Sequence, residues 1–325
     1  DAPTTSGGAA TIAEDATHTF TTTASDWGYA DVDSGDAMTS VDITTLPGTG
    51  TLKYGGNNVQ AGDDIAIANL GGLTYVPVAN ANGAVTFTFK VYDGEALSAS
   101  AGTFTMTYTA VNDAPVVASA IADASTAEDS AYSLNVAGTC TDVDGDTLTY
   151  TISGAPNTLS ISGTTISGTP LNANVGAHTI TVTCTDDGSG TLTASDQYVL
   201  TVTNVNDAPT TTGGAATIAE DATHTFTTTA SDWGYTDVDS GDALVTVDIT
   251  TLPATGTLNY GGNAVSAGDD IAVGNLGGLT YVPVANANGA VTFTFKVNDG
   301  DAWSASAGTF TMTYSAVNDA PVVAS

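Results

Sequence analysis

The sequence predicts an all-β chain: three β-sandwich modules in a tandem array, joined end to end. Three observations carry this expectation: a five-residue joint that returns, two nearly identical segments, and a strand texture with no helical period in any window. The joint reads Val-Asn-Asp-Ala-Pro at 111–115, 205–209 and 317–321, and the chain opens on its truncated form, Asp1-Ala2-Pro3. Residues 1–112 and 207–318 align without a gap and differ at 15 of 112 positions, among them Ile67/Val273, Glu95/Asp301 and Leu97/Trp303. Residues 113–206 form a different module, and 319–325 repeat 113–119 letter for letter, so the layout is A-B-A followed by the start of a second B. A chain that begins and ends inside joint sequences reads as a piece of a longer protein.

In the first module the alternation of Thr, Val, Ile, Phe and Tyr with polar residues predicts strands over 11–13, 17–23, 39–45, 51–54, 73–77, 84–92 and 102–110. Val85, Phe87, Phe89 and Val91 share one face of the sixth strand, and Phe104, Met106 and Tyr108 share one face of the seventh. Burial of each large side chain contributes roughly 2 kcal/mol. In the middle module the pattern predicts strands over 150–153, 158–162, 165–167, 178–185 and 197–202. About seven short strands in modules of this length point to an immunoglobulin-like sandwich.

The only two cysteines fit that architecture. Cys140 has the parity of Leu134 and Val136, and Cys184 that of Ile180 and Val182, so both thiols point inward from facing strands. A Cys140–Cys184 disulfide follows, which implies an oxidising, extracytoplasmic setting; two buried free thiols are the plainer alternative. Tyr29 and Val91 stand at the corresponding places of the outer module, so the bridge is local to the middle one.

The charge balance is lopsided, with 35 Asp and Glu against three Lys and no Arg, a net charge of −32. Such a chain has no basic patch for nucleic acid or anionic membrane, and no run of 18 apolar residues predicts membrane insertion in this segment. No signal peptide is present in it. The carboxylates are either a solvated acidic surface or sites for divalent cations.

Their positions favour cations at the joints. Each joint is followed by an Ala-Glu-Asp triplet, which places Glu14, Glu128 and Glu220 at the far end of their modules. The loops after the second strands read Asp31-Val-Asp33-Ser-Gly-Asp36, Asp142-Val-Asp144-Gly-Asp146 and Asp237-Val-Asp239-Ser-Gly-Asp242; the loops after the sixth carry Asp93, Asp186 and Asp299. In the sandwich both loop sets lie at the end where the chain enters. The first joint is thus expected to gather Glu14, Asn112, Asp113, Asp142, Asp144 and Asp186. The second gathers Glu128, Asn204, Asn206, Asp207, Asp237, Asp239 and Asp299. Half-sites remain at the ends: Asp1, Asp31, Asp33 and Asp93 at one, Glu220, Asn318 and Asp319 at the other. So many carboxylates at one place repel unless a cation lies between them, and Ca²⁺, which takes six to eight oxygens, suits them.

These residues resemble the calcium-binding linker of cadherins, in which a Glu, an Asp-x-Asn-Asp-Asn linker and an Asp-x-Asp loop meet. Asn204-Val-Asn206-Asp207-Ala208-Pro209 follows that linker with two changes. At the first joint Ala110 holds the leading position, and no Leu-Asp-Arg-Glu motif precedes the sixth strand; Asn80-Ala-Asn82 and Asn172-Ala-Asn174 stand in that region instead. Fewer ions per joint than in true cadherins are therefore implied. Leu73-Thr-Tyr-Val-Pro77, Asn82-Gly83 and Phe87 through Gly94 resemble the bacterial cadherin-like repeats of giant secreted adhesins. The middle module, through 142–151, 166–170 and 176–187, resembles the dystroglycan-type cadherin-like, or immunoglobulin-like, repeat.

Catalysis is not expected. The Asp142–Asp146 loop has Thr147 and Ser153 where an EF-hand needs Gly and Glu, and no metalloprotease helix, nucleophile elbow or phosphate loop occurs. His18 and His224 are one repeat position and His178 lies in a strand. The resemblance and the joints together imply a calcium-rigidified stalk of an extracellular bacterial surface protein. Its partners would be neighbouring repeats of the same chain and a glycan or protein at a distal head. Two alternatives stand beside it: other copies of the chain in a self-assembling fibre or sheath, and glycan or protein binding by the Trp27/Tyr29 loop and its copy at Trp233.

Overall fold

A computed structural model of the chain describes residues 1–318, so Asp319 and the expected start of a further module at 319–325 lie outside the described residues. Strands dominate, and three sandwiches follow one another along the chain.

In the first sandwich one sheet runs Gly8–Ala13, Gly102–Thr109, Gly83–Tyr92, Ser40–Thr45, Asp64–Ala66, and the facing sheet runs His18–Thr19, Leu73–Val76, Thr51–Tyr54, Asn57–Asn58. Phe87, Phe89, Val91, Phe104, Met106 and Tyr108 all point into the space between them and are buried, as their parity requires. Gly83–Tyr92 pairs antiparallel with Gly102–Thr109, Phe87 opposite Phe104. The third sandwich repeats the arrangement strand for strand.

The opening strand positions the joints. Thr4–Thr5 pairs with Tyr29–Ala30; the chain then crosses over, and Gly8–Ala13 runs parallel to Gly102–Thr109. Two parallel neighbours end at the same place, so Glu14, next after Ala13, lands beside the exit of the last strand, its N–H donating to Thr109 O at 3.0 Å. The middle module does the same with Ala124–Ala127 and Thr193–Thr203, and Glu128 N–H reaches Thr203 O.

The expected strand over 17–23 forms only at His18–Thr19. Thr21 Oγ1 turns aside to the Asp26 carboxylate, and Ala24–Trp27 wind into a 3₁₀ turn closed by Gly28 at φ 63°. This turn carries Trp27 into the core, where its ring stacks on Phe20 at 5.3 Å and meets Phe89 edge-on at 4.9 Å. The short strands Asn57–Asn58 and Asp64–Ala66 escape the sequence pattern because their exposed edges carry polar residues.

The middle module packs Ala124–Ala127, Thr193–Thr203, Gly176–Thr185 and Thr149–Ser153 against Tyr132–Asn135, Thr165–Gly168 and Leu159–Ser162. Cys140 and Cys184 are joined, with 6.5 Å between their Cα atoms, and both are buried. This core is smaller than the outer ones, with nine buried apolar residues in its cluster against 17 in the first module. The bridge compensates: a 44-residue separation corresponds to about 4 kcal/mol on the chain-entropy model.

Candidate metal centres at the joints

Each triplet glutamate is buried and splits its two oxygens between two tasks. Oε1 of Glu14 accepts the Val111 N–H at 2.7 Å, Oε1 of Glu128 the Val205 N–H at 2.9 Å, and Oε1 of Glu220 the Val317 N–H at 2.8 Å. One carboxylate oxygen thus fastens the linker as it leaves the module. The other oxygen of Glu14 and of Glu128 is buried with no hydrogen-bond partner.

The acidic loops share one local geometry. The N–H of Asp33 turns back to Asp31 Oδ1, that of Asp144 to Asp142 Oδ1, and that of Asp239 to Asp237 Oδ1, at 2.8–2.9 Å. This Asx turn consumes one oxygen of the first Asp; the other is buried without a partner in Asp31 and Asp142, and accepts the Tyr235 hydroxyl in Asp237. The second Asp then holds the linker: Asp113 N–H donates to Asp144 Oδ2 at 2.7 Å, and Asp207 N–H to Asp239 Oδ2 at 2.6 Å. The neighbouring linker asparagines reach the loop after the sixth strand, with Asn112 Nδ2 on Asp186 Oδ2 and Asn206 Nδ2 on Asp299 Oδ2, each at 3.2 Å.

At the first joint the three sources meet. Glu14 from the first sandwich, Asp113 from the linker and Asp144 from the second sandwich each offer an oxygen within 4.8 Å of the others, and Asp142, Asp144 and Asp146 form an adjoining group. Buried, unpartnered oxygens belong to Glu14, Asp113, Asp142 and Asp146. Burial, then the charges of Asp144, Asp15, Glu14 and Asp142, push the Asp113 carboxyl above the usual carboxylate range. Burial and then Asp142 do the same to Asp146. Buried anionic oxygens without donors are costly, and no Lys or Arg stands in these loops to answer them. Oxygen-only ligands in two adjoining groups that share Asp144 are the donor set Ca²⁺ takes, so the residues present fit it.

The second joint is arranged differently. Asp237, Asp242 and Asp299 converge within 4.8 Å, while both oxygens of Asp239 are engaged, one by Asp207 N–H and the other by the Asn172 side-chain amide at 2.6 Å. Burial, then the charges of Asp129, Asp239 and Asp237, push Asp207 up. Burial alone would raise Asp299, but the N–H groups of Ala302 and Asp301 and the Asn206 amide bring it below the usual range. Asn204 is exposed and makes no described hydrogen bond through its side chain. At the opening end Asp31, Asp33 and Asp36 cluster, the Asp1 amine pairs with Asp33, and Asp93 is held down by the N–H groups of Ala96 and Glu95. Asn318 is the last described residue, and Asp319 lies beyond it.

Sequence reasoning left out Asp36, Asp146 and Asp242, which enter the clusters, and Asn172, which bridges the second joint directly. The first three end the same loops that supplied the expected ligands, so the Asp-x-Asp-(x)-Gly-Asp spacing was the available signal. Trp27 and Trp233 are fully buried, each Nε1 donating to a carbonyl, Thr21 O and Thr227 O, at 3.2 Å. Neither indole presents a face to a sugar, so the ligand-binding expectation for these loops loses its platform.

Residues 114–203 match the family model described as "Putative Ig domain", and residues 205–314 match that described as "Cadherin-like domain". Mouse cadherin-23 EC22-24 is similar at 16% identity and a TM-score of 0.52, over 97% of this chain and 99% of that one. Protocadherin gammaB7 EC3-6 is similar at 14% identity and a TM-score of 0.52, over 97% of this chain and 74% of that one. At these identities the likeness is one of fold. No curated protein matches the chain.

Proposed function

From a chain that is a tandem of cadherin-like and immunoglobulin-like β-sandwich repeats, we propose a spacer role in an extracellular bacterial surface or adhesion protein, with Ca²⁺ fixing each repeat to the next. The modules are taken as 1–112, 113–206 and 207–318. The observation that carries the reading is the trio Glu14, Asp113 and Asp144, drawn from two sandwiches and the linker between them, with oxygens within 4.8 Å.

Glu14, Asp113, Asp142, Asp144, Asp146 and Asp186 would hold the ion or ions of the first joint. Glu128, Asp207, Asp237, Asp239, Asp242 and Asp299 would serve the second. The ion supplies positive charge that lets the carboxylates stay together; the chain supplies the fixed geometry, through the Asx turns and the glutamate–linker bonds. Recurrence of the same acids at successive joints suits a mechanical role and not a catalytic one. No helix among the described residues is long and apolar enough to cross a membrane.

Calorimetric titration of the chelated protein with CaCl₂ tests this. The expected Kd is on the order of 10⁻⁴–10⁻³ M, the range of extracellular modules. Asp144→Ala should remove the first-joint component and leave the second. Heats no larger than those of Mg²⁺ at equal concentration would sink the proposal.

A further inference from the structure

Away from the joints, on the outer face of the five-stranded sheet of the third module, three neighbouring strands set Asp270, Asp248 and Lys296 side by side. Asp248 is opposite Asp270 on one side and opposite Lys296 on the other. Trp303 sits one row along the same face, bridged to Asn298 by the turn that follows the strand Gly289–Asn298. Together with Gly268 these four side chains line an open concavity of about 330 Å³. That volume is at the lower end of small-ligand pockets, about 300–1,000 Å³.

The groups in it are unsatisfied in a telling way. Lys296 is one of only three cationic side chains in the chain, yet it makes no ion pair or hydrogen bond among the described residues. Asp248 Oδ1 is buried without a partner. Trp303 is 38% exposed, whereas Trp27 and Trp233 are fully buried. An aromatic shelf, two acceptors and one donor therefore face the same space, with no direct ion pair or hydrogen bond described between Lys296 and either carboxylate.

We infer that this concavity binds a neutral pyranose unit of a polysaccharide, with Trp303 stacked on the ring, Asp248 and Asp270 accepting from its hydroxyls and Lys296 donating to one. A polyol needs acceptors and donors together with an apolar platform, which this set provides. Two carboxylates on a chain of net charge −32 disfavour an anionic ligand, and Lys296 disfavours a metal ion or a cationic one. The first module keeps Asp42, Asp64 and Lys90 in the same row but has Leu97 in place of the tryptophan, so it lacks this shelf. The site is separate from the calcium joints.

Because two of the three tryptophans are sealed in the cores, fluorescence reports ligand contact at Trp303. Neutral gluco-, manno-, galacto-, xylo- and chito-oligosaccharide hexamers are titrated into the full chain, in chelator and in millimolar Ca²⁺. At least one hexamer should shift Trp303 emission saturably, and with similar affinity in both buffers. Asp248→Asn and Trp303→Leu should each weaken binding, followed by calorimetry, by roughly tenfold or more. Far-ultraviolet circular dichroism checks that both variants are folded, and Leu97→Trp should add a second site. Silence of all five hexamers would overturn the inference. So would affinity unchanged in Trp303→Leu, or a fluorescence response to divalent cations alone.

Discussion

Glu14 divides its carboxylate between two environments: one oxygen ties down the Val111 N–H and the other is buried with no hydrogen-bond partner. Glu14→Gln keeps an acceptor for the linker but removes the charge. Without Ca²⁺ this variant should melt higher than the parent, by a few degrees if the relieved penalty is about 1 kcal/mol. With Ca²⁺ it should melt lower, and calorimetric scans in the two buffers read the reversal. A second residue-scale prediction concerns the tyrosine pairs Tyr75–Tyr108 and Tyr281–Tyr314, hydroxyl to hydroxyl in the outer cores. Burial, then the hydrogen bond that each donates to its partner's hydroxyl, pushes Tyr108 and Tyr314 well above the ordinary tyrosine value of 10.0. A phenol that loses its proton less readily when folded contributes stability that is complete below pH 10 and lost as pH rises toward the folded value. Urea midpoints should therefore fall as pH rises above 10, and Tyr108→Phe with Tyr314→Phe should flatten that fall. The loop aspartates are legible from spacing, since the first Asp of each Asp-Val-Asp accepts the N–H two residues on, a purely local bond. The role of Asn172 was not, because its partner Asp239 is 67 residues away and only the packing of modules brings them together.

At the scale of elements, the parallel crossover of Gly8–Ala13 onto Gly102–Thr109 is what carries Glu14 to the joint. Strand periodicity places 84–92, 102–110 and 178–185 within two residues of the observed strands, since alternating Phe, Ile and Val leave little choice of face. Thr193–Thr203 begins four residues before the expected 197 because its opening residues, Thr-Ala-Ser-Asp, carry no large apolar side chain. The break after His18–Thr19 was hidden, because Thr21 and Asp26 satisfy each other only once the 3₁₀ turn has formed. The tryptophan of that turn, open in the sequence to either packing or ligand stacking, lies at the centre of an aromatic core. The disulfide belongs to this scale as well. Cys140→Ser with Cys184→Ser should cost the middle module about 4 kcal/mol. The outer modules should keep their own transitions, so scanning calorimetry should show one component moving down and the others staying in place.

For the whole molecule, direct hydrogen bonds such as Asp113 N–H to Asp144 and Asn172 to Asp239 cross the joints, and the proposed ions would add to them. Three sandwiches, each about 30–45 Å long from the strand rise, would reach about 100 Å if held in line. In excess chelator the buried carboxylates repel, and the chain should sample bent arrangements and be cut by proteases at the linkers 110–115 and 204–209. Small-angle scattering in chelator and then in millimolar Ca²⁺ reads whether the cation holds the sandwiches in line. Maximum dimension and rigidity should rise with Ca²⁺, and Asp144→Ala combined with Asp237→Ala should abolish the change. Identical profiles in the two buffers would contradict this, and would make the acids no more than a solvated surface.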